Sequence, residues 1–204
     1  MEQTRKRGFA NHVLQGIILL LIILMAGAFT TEVNAAAKKK TLIVYYSRTN
    51  TTQQIAKKIQ KLTNADMVRL KTKNAYPSDY DEMLETAQRE QDENARPELA
   101  DRISNWSQYD KIILGYPIWY GQAPKIISTF LESYDFSGKT IVPFCTSGGS
   151  GLGTSASSLH SLVSSDAAWK TGIRFTAGAS AGDIQTWLKS EGIQPFTGAS
   201  AHAI

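Results

Sequence analysis
Cysteine is almost missing from this chain. Cys145 is the single one in 204 residues, which excludes an internal disulfide and any CxxC redox or metal motif. A P-loop is absent too, since no GxxxxGK[ST] occurs anywhere. No separate nicotinamide-binding turn is present, because Gly149-Ser150-Gly151 is followed by Thr154 where G-x-G-x-x-G needs its third glycine. The nucleophile elbow G-x-S-x-G fails at its last position, Leu152, in Gly148-Gly149-Ser150-Gly151-Leu152. Basic runs with interleaved aromatics are lacking. Lys38-Lys39-Lys40 is a solvated junction, and no nucleic-acid partner is expected.

What the chain does have begins with an export signal. Arg5-Lys6-Arg7 precedes an apolar stretch from Ile17 to Ala28, and Val33-Asn34-Ala35 places small residues at −3 and −1 of a signal-peptidase site. Residues 1–35 therefore read as a signal peptide or N-terminal anchor, with 36–40 as linker. The core is short for a membrane span, and extending it over residues 13–29 crosses Gln15 and Gly16. Cleavage is favoured, and membrane attachment is expected only if the segment stays uncleaved. The working domain is thus expected outside the cytoplasmic membrane, extracellular or periplasmic. Cleavage after Ala35 removes Arg5, Lys6, Arg7, Glu2 and Glu32 from 22 basic and 18 acidic residues, leaving 19 and 16, a formal +3.

The remaining chain alternates strand and helix patterns. Thr41-Leu42-Ile43-Val44-Tyr45-Tyr46 lacks polar alternation and reads as a strand buried on both faces of a parallel sheet. Ile55, Ile59 and Leu62 form an apolar stripe opposite Lys57, Lys58 and Lys61. Asp66–Leu70 suits a strand nearer the edge. Ser78 and Asp81 resemble a capping pair for a helix whose stripe is Tyr80, Met83, Leu84 and Ala87. Lys111–Tyr116 and Thr140–Cys145 are two more buried strands, separated by a helix opened by Pro124. A serine-rich helix with Leu159, Leu162 and Val163, an alternating strand Gly172–Thr176 and a helix capped by Ser180 complete the order. Five β-α units imply an α/β fold with a doubly wound, open parallel sheet. The domain spans 41–192, and residues 193–204 form a loosely ordered tail.

Ligands of such sheets bind beyond the carboxyl ends of the strands. Three strand ends carry distinctive loops. Ser47-Arg48-Thr49-Asn50-Thr51-Thr52 sits where a buried strand feeds a helix N-terminus, a natural place for a phosphate monoester. Gly115-Tyr116-Pro117-Ile118-Trp119-Tyr120-Gly121 sets aromatics on a Gly- and Pro-bounded loop, suited to a flat ligand. Thr146-Ser147-Gly148-Gly149-Ser150-Gly151 lets backbone approach closely.

Taken together these three loops resemble the flavodoxin family, over about Lys40 to Gly192, and most closely its branch with a Tyr-Pro-Ile-Trp-aromatic-Gly loop. The resemblance implies a five-stranded sheet of order 2-1-3-4-5 binding FMN non-covalently. By position, Ser47, Thr49, Asn50, Thr51 and Thr52 would hold the phosphate, with Arg48 beside them. Pro117, Ile118, Trp119 and Tyr120 would border the isoalloxazine, with Gly121 closing that loop. Thr146, Ser147, Gly148 and Gly149 would form the ring's other margin. Asn50 stands where the family usually has glycine, and asparagine tolerates left-handed backbone better than most residues. The near-neutral to basic charge also departs from the acidic short-chain flavodoxins.

The resemblance implies electron transfer through bound flavin, to a redox partner protein or a small-molecule electron acceptor. Whether the protein is a carrier or an FMN-dependent oxidoreductase, reduced by NAD(P)H or by a partner, stays open. A ring against Trp119 or Tyr120, near uncharged loops, would disfavour an anionic hydroquinone. Two rivals remain: a flavodoxin-like domain that has lost FMN and binds a partner, and a secreted serine hydrolase using Ser150, Asp183 and His202. A metal-holding receiver domain does not fit, because the first strand ends in Ser47-Arg48 rather than an acidic pair. Cys145 reads as a buried structural thiol, and His160 has no companion ligands.

Overall fold
The computed structural model describes residues 40–196. The export segment of residues 1–35, most of the linker, His202 and the end of the tail lie outside these residues.

The first strand, β1 (Lys40–Tyr45), leads into α1 (Thr51–Thr63), β2 (Asp66–Arg69) and α2 (Tyr80–Asp92). A single 3-10 turn, Trp106–Gln108, precedes β3 (Tyr109–Pro117), which is followed by α3 (Lys125–Ser133) and β4 (Thr140–Thr146). The order closes with α4 (Ser155–His160), β5 (Ala168–Trp169), β6 (Ile173–Phe175) and α5 (Ala181–Ser190). The sheet runs β2-β1-β3-β4-β5, with β6 also on β4, and every pairing is parallel. This is the expected doubly wound 2-1-3-4-5 order.

Two cores explain the near-absence of polar residues in β1. Leu42, Val44 and Tyr46 pack on one face with Ile126, Phe130 and Leu131 of α3. Ile43 and Tyr45 pack on the other with Ile55, Ala56 and Ile59 of α1 and Ile184, Trp187 and Leu188 of α5. A central strand of a parallel sheet has no wet face, so both side-chain sets are apolar.

Three local readings are corrected or extended. The expected last strand, Gly172–Thr176, is found as β6, and a short extra strand, β5, precedes it on the same edge. Ile141 O accepts from Lys170 N on the edge side of β4, so Pro143, two residues on, turns its nitrogen the same way. Proline has no N–H to give, and the ladder breaks there. Gly172 carries the chain past that point at φ 78°, where a Cβ would lie 2.7 Å from Pro143 O. The N-cap of α2 is Asp79 rather than Ser78: its carboxylate accepts from the N–H groups of Asp81 and Glu82 at 2.9 and 3.0 Å. The serine-rich helix stops at His160, short of Leu162 and Val163. Ser157 and Ser161 hydroxyls donate to the carbonyls of Thr154 and Ser158, the local bonding that makes serine a poor helix interior residue. The chain beyond Gly192 stays packed at first, with Ile193 buried and Phe196 N donating to Leu62 O.

Candidate functional site
The carboxyl ends of β1, β3 and β4 lie side by side, in register from Tyr45 to Gly115 to Phe144. The loops after β1 and β3, the last residue of β4 and the first turns of α2 enclose a cleft of about 290 Å³.

At the end of β1, Ser47 is buried and Asn50 takes the left-handed conformation at φ 66°, ψ 3°. Asparagine is here the N-cap of α1, yet its side chain does not cap the helix. Its Oδ1 instead accepts from Arg69 Nη1 at 3.3 Å, while Arg69 Nη2 donates to Ser47 O. The first turn of α1 contains no acidic residue. A left-handed residue leading into uncapped helical N–H groups is a backbone arrangement that favours an anion. The hydroxyls of Thr49 and Thr51 stand 3.4 Å apart beside it.

Arg48 spans from this loop to the start of α2. Its Nη2 donates to Ser78 O at 3.0 Å and Asp79 O at 3.4 Å, and its guanidinium sits 6.0 Å from the centre of the Tyr80 ring. Its acceptors are neutral carbonyls, so the guanidinium's charge is left uncompensated by them.

At the end of β3, Trp119 and Gln122 exchange backbone hydrogen bonds of 2.8 and 2.9 Å around Tyr120 and Gly121. Both central residues have positive φ, 48° and 74°. Among the described residues, the other non-glycines with positive φ are asparagines. A bulky aromatic there is strained, and such strain persists only where surrounding structure holds it. The Tyr120 hydroxyl donates to Leu84 O at 3.3 Å, so the turn is tied across the cleft to α2. Trp119 meets Tyr46 and Tyr76 edge to face, with ring centres 5.5 and 5.4 Å away. Its indole is thereby fixed as a wall.

Burial above all pushes the Tyr46 and Tyr76 phenols upward, and both stay protonated at neutral pH. Tyr76 donates to Glu90 at 2.7 Å. Desolvation raises the Glu90 carboxyl above its usual range, partly offset by that hydrogen bond.

The third loop is joined to the first by a hydrogen bond between Thr52 Oγ1 and Thr146 Oγ1 at 2.8 Å. Ser147 Oγ pairs with Ser150 Oγ at 2.8 Å and accepts from Gly149 N at 3.2 Å, which folds the loop on itself.

The structure brings Ser47, Arg48, Thr49, Thr51, Thr52, Pro117, Ile118, Trp119, Tyr120 and Thr146 to the cleft wall. Asn50 and Gly121 shape the loops behind it. Ser147, Gly148 and Gly149 extend along the sheet end and do not line the cleft. Sequence reasoning missed Arg69, which buttresses the first loop. It also missed that Tyr80 and Leu84, read as a buried stripe, face the cleft, with Tyr80 60% exposed. Their helical spacing marks α2 as amphipathic but says nothing of which loop its first turn meets. Among the described residues no carboxylate lines the cleft, and the one charged wall residue is Arg48.

Two other candidates resolve into structural roles. Asp183 of the serine-hydrolase reading is engaged in a capping box with Ser180 at the start of α5. Cys145 is fully buried in β4, and burial pushes its thiol up to about 11.

In three dimensions the chain is similar to a candidate flavoprotein from Bacteroides eggerthii, with 33% identity, a TM-score of 0.70, and 77% of this chain and 100% of that one covered. A second, from Bacteroides uniformis, has 32% identity and a TM-score of 0.68 over 74% and 98% of the two chains. A Lactobacillus acidophilus flavoprotein in complex with FMN shares the fold at 24% identity and a TM-score of 0.57, over 73% and 98%. Among curated proteins, none matches the chain. The family model described as flavodoxin matches residues 40–191, and with the parallel 2-1-3-4-5 sheet and the three loops at its carboxyl end, this chain belongs to the flavodoxin family.

Proposed function
We propose that the cleft binds FMN non-covalently and that the protein is a redox protein, passing electrons to a partner protein or a small acceptor. The observation that carries this reading is the convergence of an anion-favouring helix start, cationic Arg48 and a fixed aromatic wall on one cleft. The FMN complex of the Lactobacillus acidophilus flavoprotein, on the same fold, supports it.

When bound, FMN supplies the one- and two-electron chemistry, and the protein supplies binding, orientation and electrostatics. In this chain, the α1 N–H groups and the hydroxyls of Thr49, Thr51 and Thr52 would hold the phosphate. Pro117, Ile118, Trp119 and Tyr120 would orient the ring and keep water from one side. Arg48 complements a dianion near the first loop.

We further propose that the domain works outside the cytoplasmic membrane, on the strength of the signal-like segment ahead of it. N-terminal sequencing of the protein recovered from the cell exterior tests that point. An intact Met1 in the soluble cytoplasmic fraction would refute it.

The absorption spectrum of the purified protein, taken after mixing with FMN and desalting, tests the cofactor. Flavin bands that travel with the protein are expected. A colourless protein would overturn the cofactor reading and leave the partner-binding domain in its place.

A further inference from the structure
A second cavity, of about 490 Å³, opens on the β2 side of the cleft and shares Ser47 and Arg48 with it. Its size lies within the range of about 300–1,000 Å³ typical of small-molecule sites. Among the described residues three cations line it, Arg48, Arg69 and Lys71, and no carboxylate does. Both guanidiniums are spent on uncharged oxygens: Ser78 O and Asp79 O for Arg48, Ser47 O and Asn50 Oδ1 for Arg69. These bonds fix their positions without cancelling their charge. Glu90, the carboxylate hydrogen-bonded to Tyr76, is not among the lining residues.

Two aromatic rings stand in the remaining wall beside Leu70, Ala75 and Pro77. Tyr46 and Tyr76 meet at 5.9 Å and are both braced by Trp119. The outer rim is pinned as well. Lys73 N donates to Glu98 O, Ala100 N donates to Lys71 O, and Thr72 pairs with Leu99 in an antiparallel bridge. The cavity is therefore built in advance and does not depend on a loop closing.

We propose that this cavity is a binding site for a small aromatic organic anion, distinct from the FMN cleft. The ring would lie on Tyr46, Tyr76 and Pro77, and its carboxylate or sulfonate would meet the Arg48, Arg69 and Lys71 charges. A concave, acid-free site with three cations favours an anion through its local potential, and planar guanidiniums match a carboxylate well. Arg48 is shared with the FMN cleft, but Arg69 and Lys71 are not, so the site keeps two cations of its own when the cleft holds FMN.

The test is isothermal titration of the full-length protein with 2-naphthoate, beside its uncharged analogue 2-naphthalenemethanol and beside inorganic phosphate. Each titration is run with and without saturating FMN. Naphthoate is expected to bind one to one in both states, at least roughly tenfold tighter than the alcohol or phosphate, and to weaken with added salt. Lys71 is exposed and outside the cofactor cleft, so Lys71→Gln should weaken naphthoate by roughly threefold and Lys71→Glu by more, with FMN retention unchanged. An unchanged unfolding midpoint for Lys71→Gln assigns the loss to the site and not to the fold. Equal affinity for the alcohol, displacement of naphthoate by FMN, or indifference to both Lys71 variants would each overturn the proposal. So would phosphate binding alone, which would mark a simple anion patch.

Discussion

Thr52 and Thr146, 94 residues apart, join their hydroxyls at 2.8 Å beneath the cleft, and both side chains are buried. The contact ties the first turn of α1 to the end of β4, so a hydrogen bond joins two of the three loops. Replacing either threonine by valine keeps the shape but leaves the other hydroxyl without this partner. Such a loss costs about 1–2 kcal/mol, whereas replacing both partners by apolar groups of the same shape is closer to neutral. Urea unfolding of Thr52→Val, Thr146→Val and the double variant should therefore show clearly non-additive effects, with the double variant less destabilised than the sum.

Asn50 carries the family departure and the left-handed backbone at once. At φ 66° a Cβ-bearing residue without asparagine's tolerance costs about 1–2 kcal/mol. Asn50→Ala should lower stability by about that much and release FMN more readily on desalting. Asn50→Gly should stay within about 0.5 kcal/mol of the parent, because glycine has no left-handed penalty to offset the lost Arg69 contact. Denaturation midpoints and flavin retention read both.

Gly115 lies in β3 against the ring of Phe144, where a Cβ would fall 2.2 Å from the ring's Cζ. Phe144 is itself fully buried against Phe175 and Trp187, so it has little room to withdraw. Gly115→Ala should destabilise by about 1–3 kcal/mol, the usual cost of overpacking. Gly115 O also accepts from Tyr46 N at 3.0 Å, so the shift should reach the start of the first loop. A parallel loss of flavin retention in the folded variant would report it.

The sheet was legible because its central strands are buried on both faces. Ile43 and Val44 must both be apolar, as must Ile113 and Leu114, and short β-branched runs of that kind mark a strand buried on both faces rather than a helix. The split edge was not legible, since it depends on which side Pro143 turns its nitrogen. That is a question of register with a strand 30 residues away. In the site, the hydroxyl loop and the Tyr-Pro-Ile-Trp loop announced themselves by composition. Arg69 did not, because a charged residue on a short edge strand looks the same whether it faces water or grips Ser47 O. Tyr80 and Leu84 fit a helical stripe, and only the three-dimensional approach of the Tyr120 turn shows that α2 offers them to the cleft.

Glu90 gives the protein a pH dependence with a definite sign. Desolvation raises its carboxyl above the ordinary carboxylate value, and the Tyr76 hydrogen bond only partly opposes this. The folded state therefore holds its proton to higher pH than the unfolded state does. Stability contributed by this group is fully present below the unfolded value of about 4.3 and falls as pH rises through the raised folded value. Glu90→Gln removes the ionisation while its amide oxygen can still accept from Tyr76. The variant should match the parent near pH 4 and become the more stable of the two as pH rises toward neutrality. Tyr76→Phe deletes the bond that favours the carboxylate, so it should move Glu90 further up, and the decline, which starts from the same unfolded value, should run to higher pH and go deeper. Unfolding midpoints for the three proteins between pH 4 and pH 8 decide the point, and a Glu90→Gln advantage that does not change across this window would refute the buried-carboxyl account.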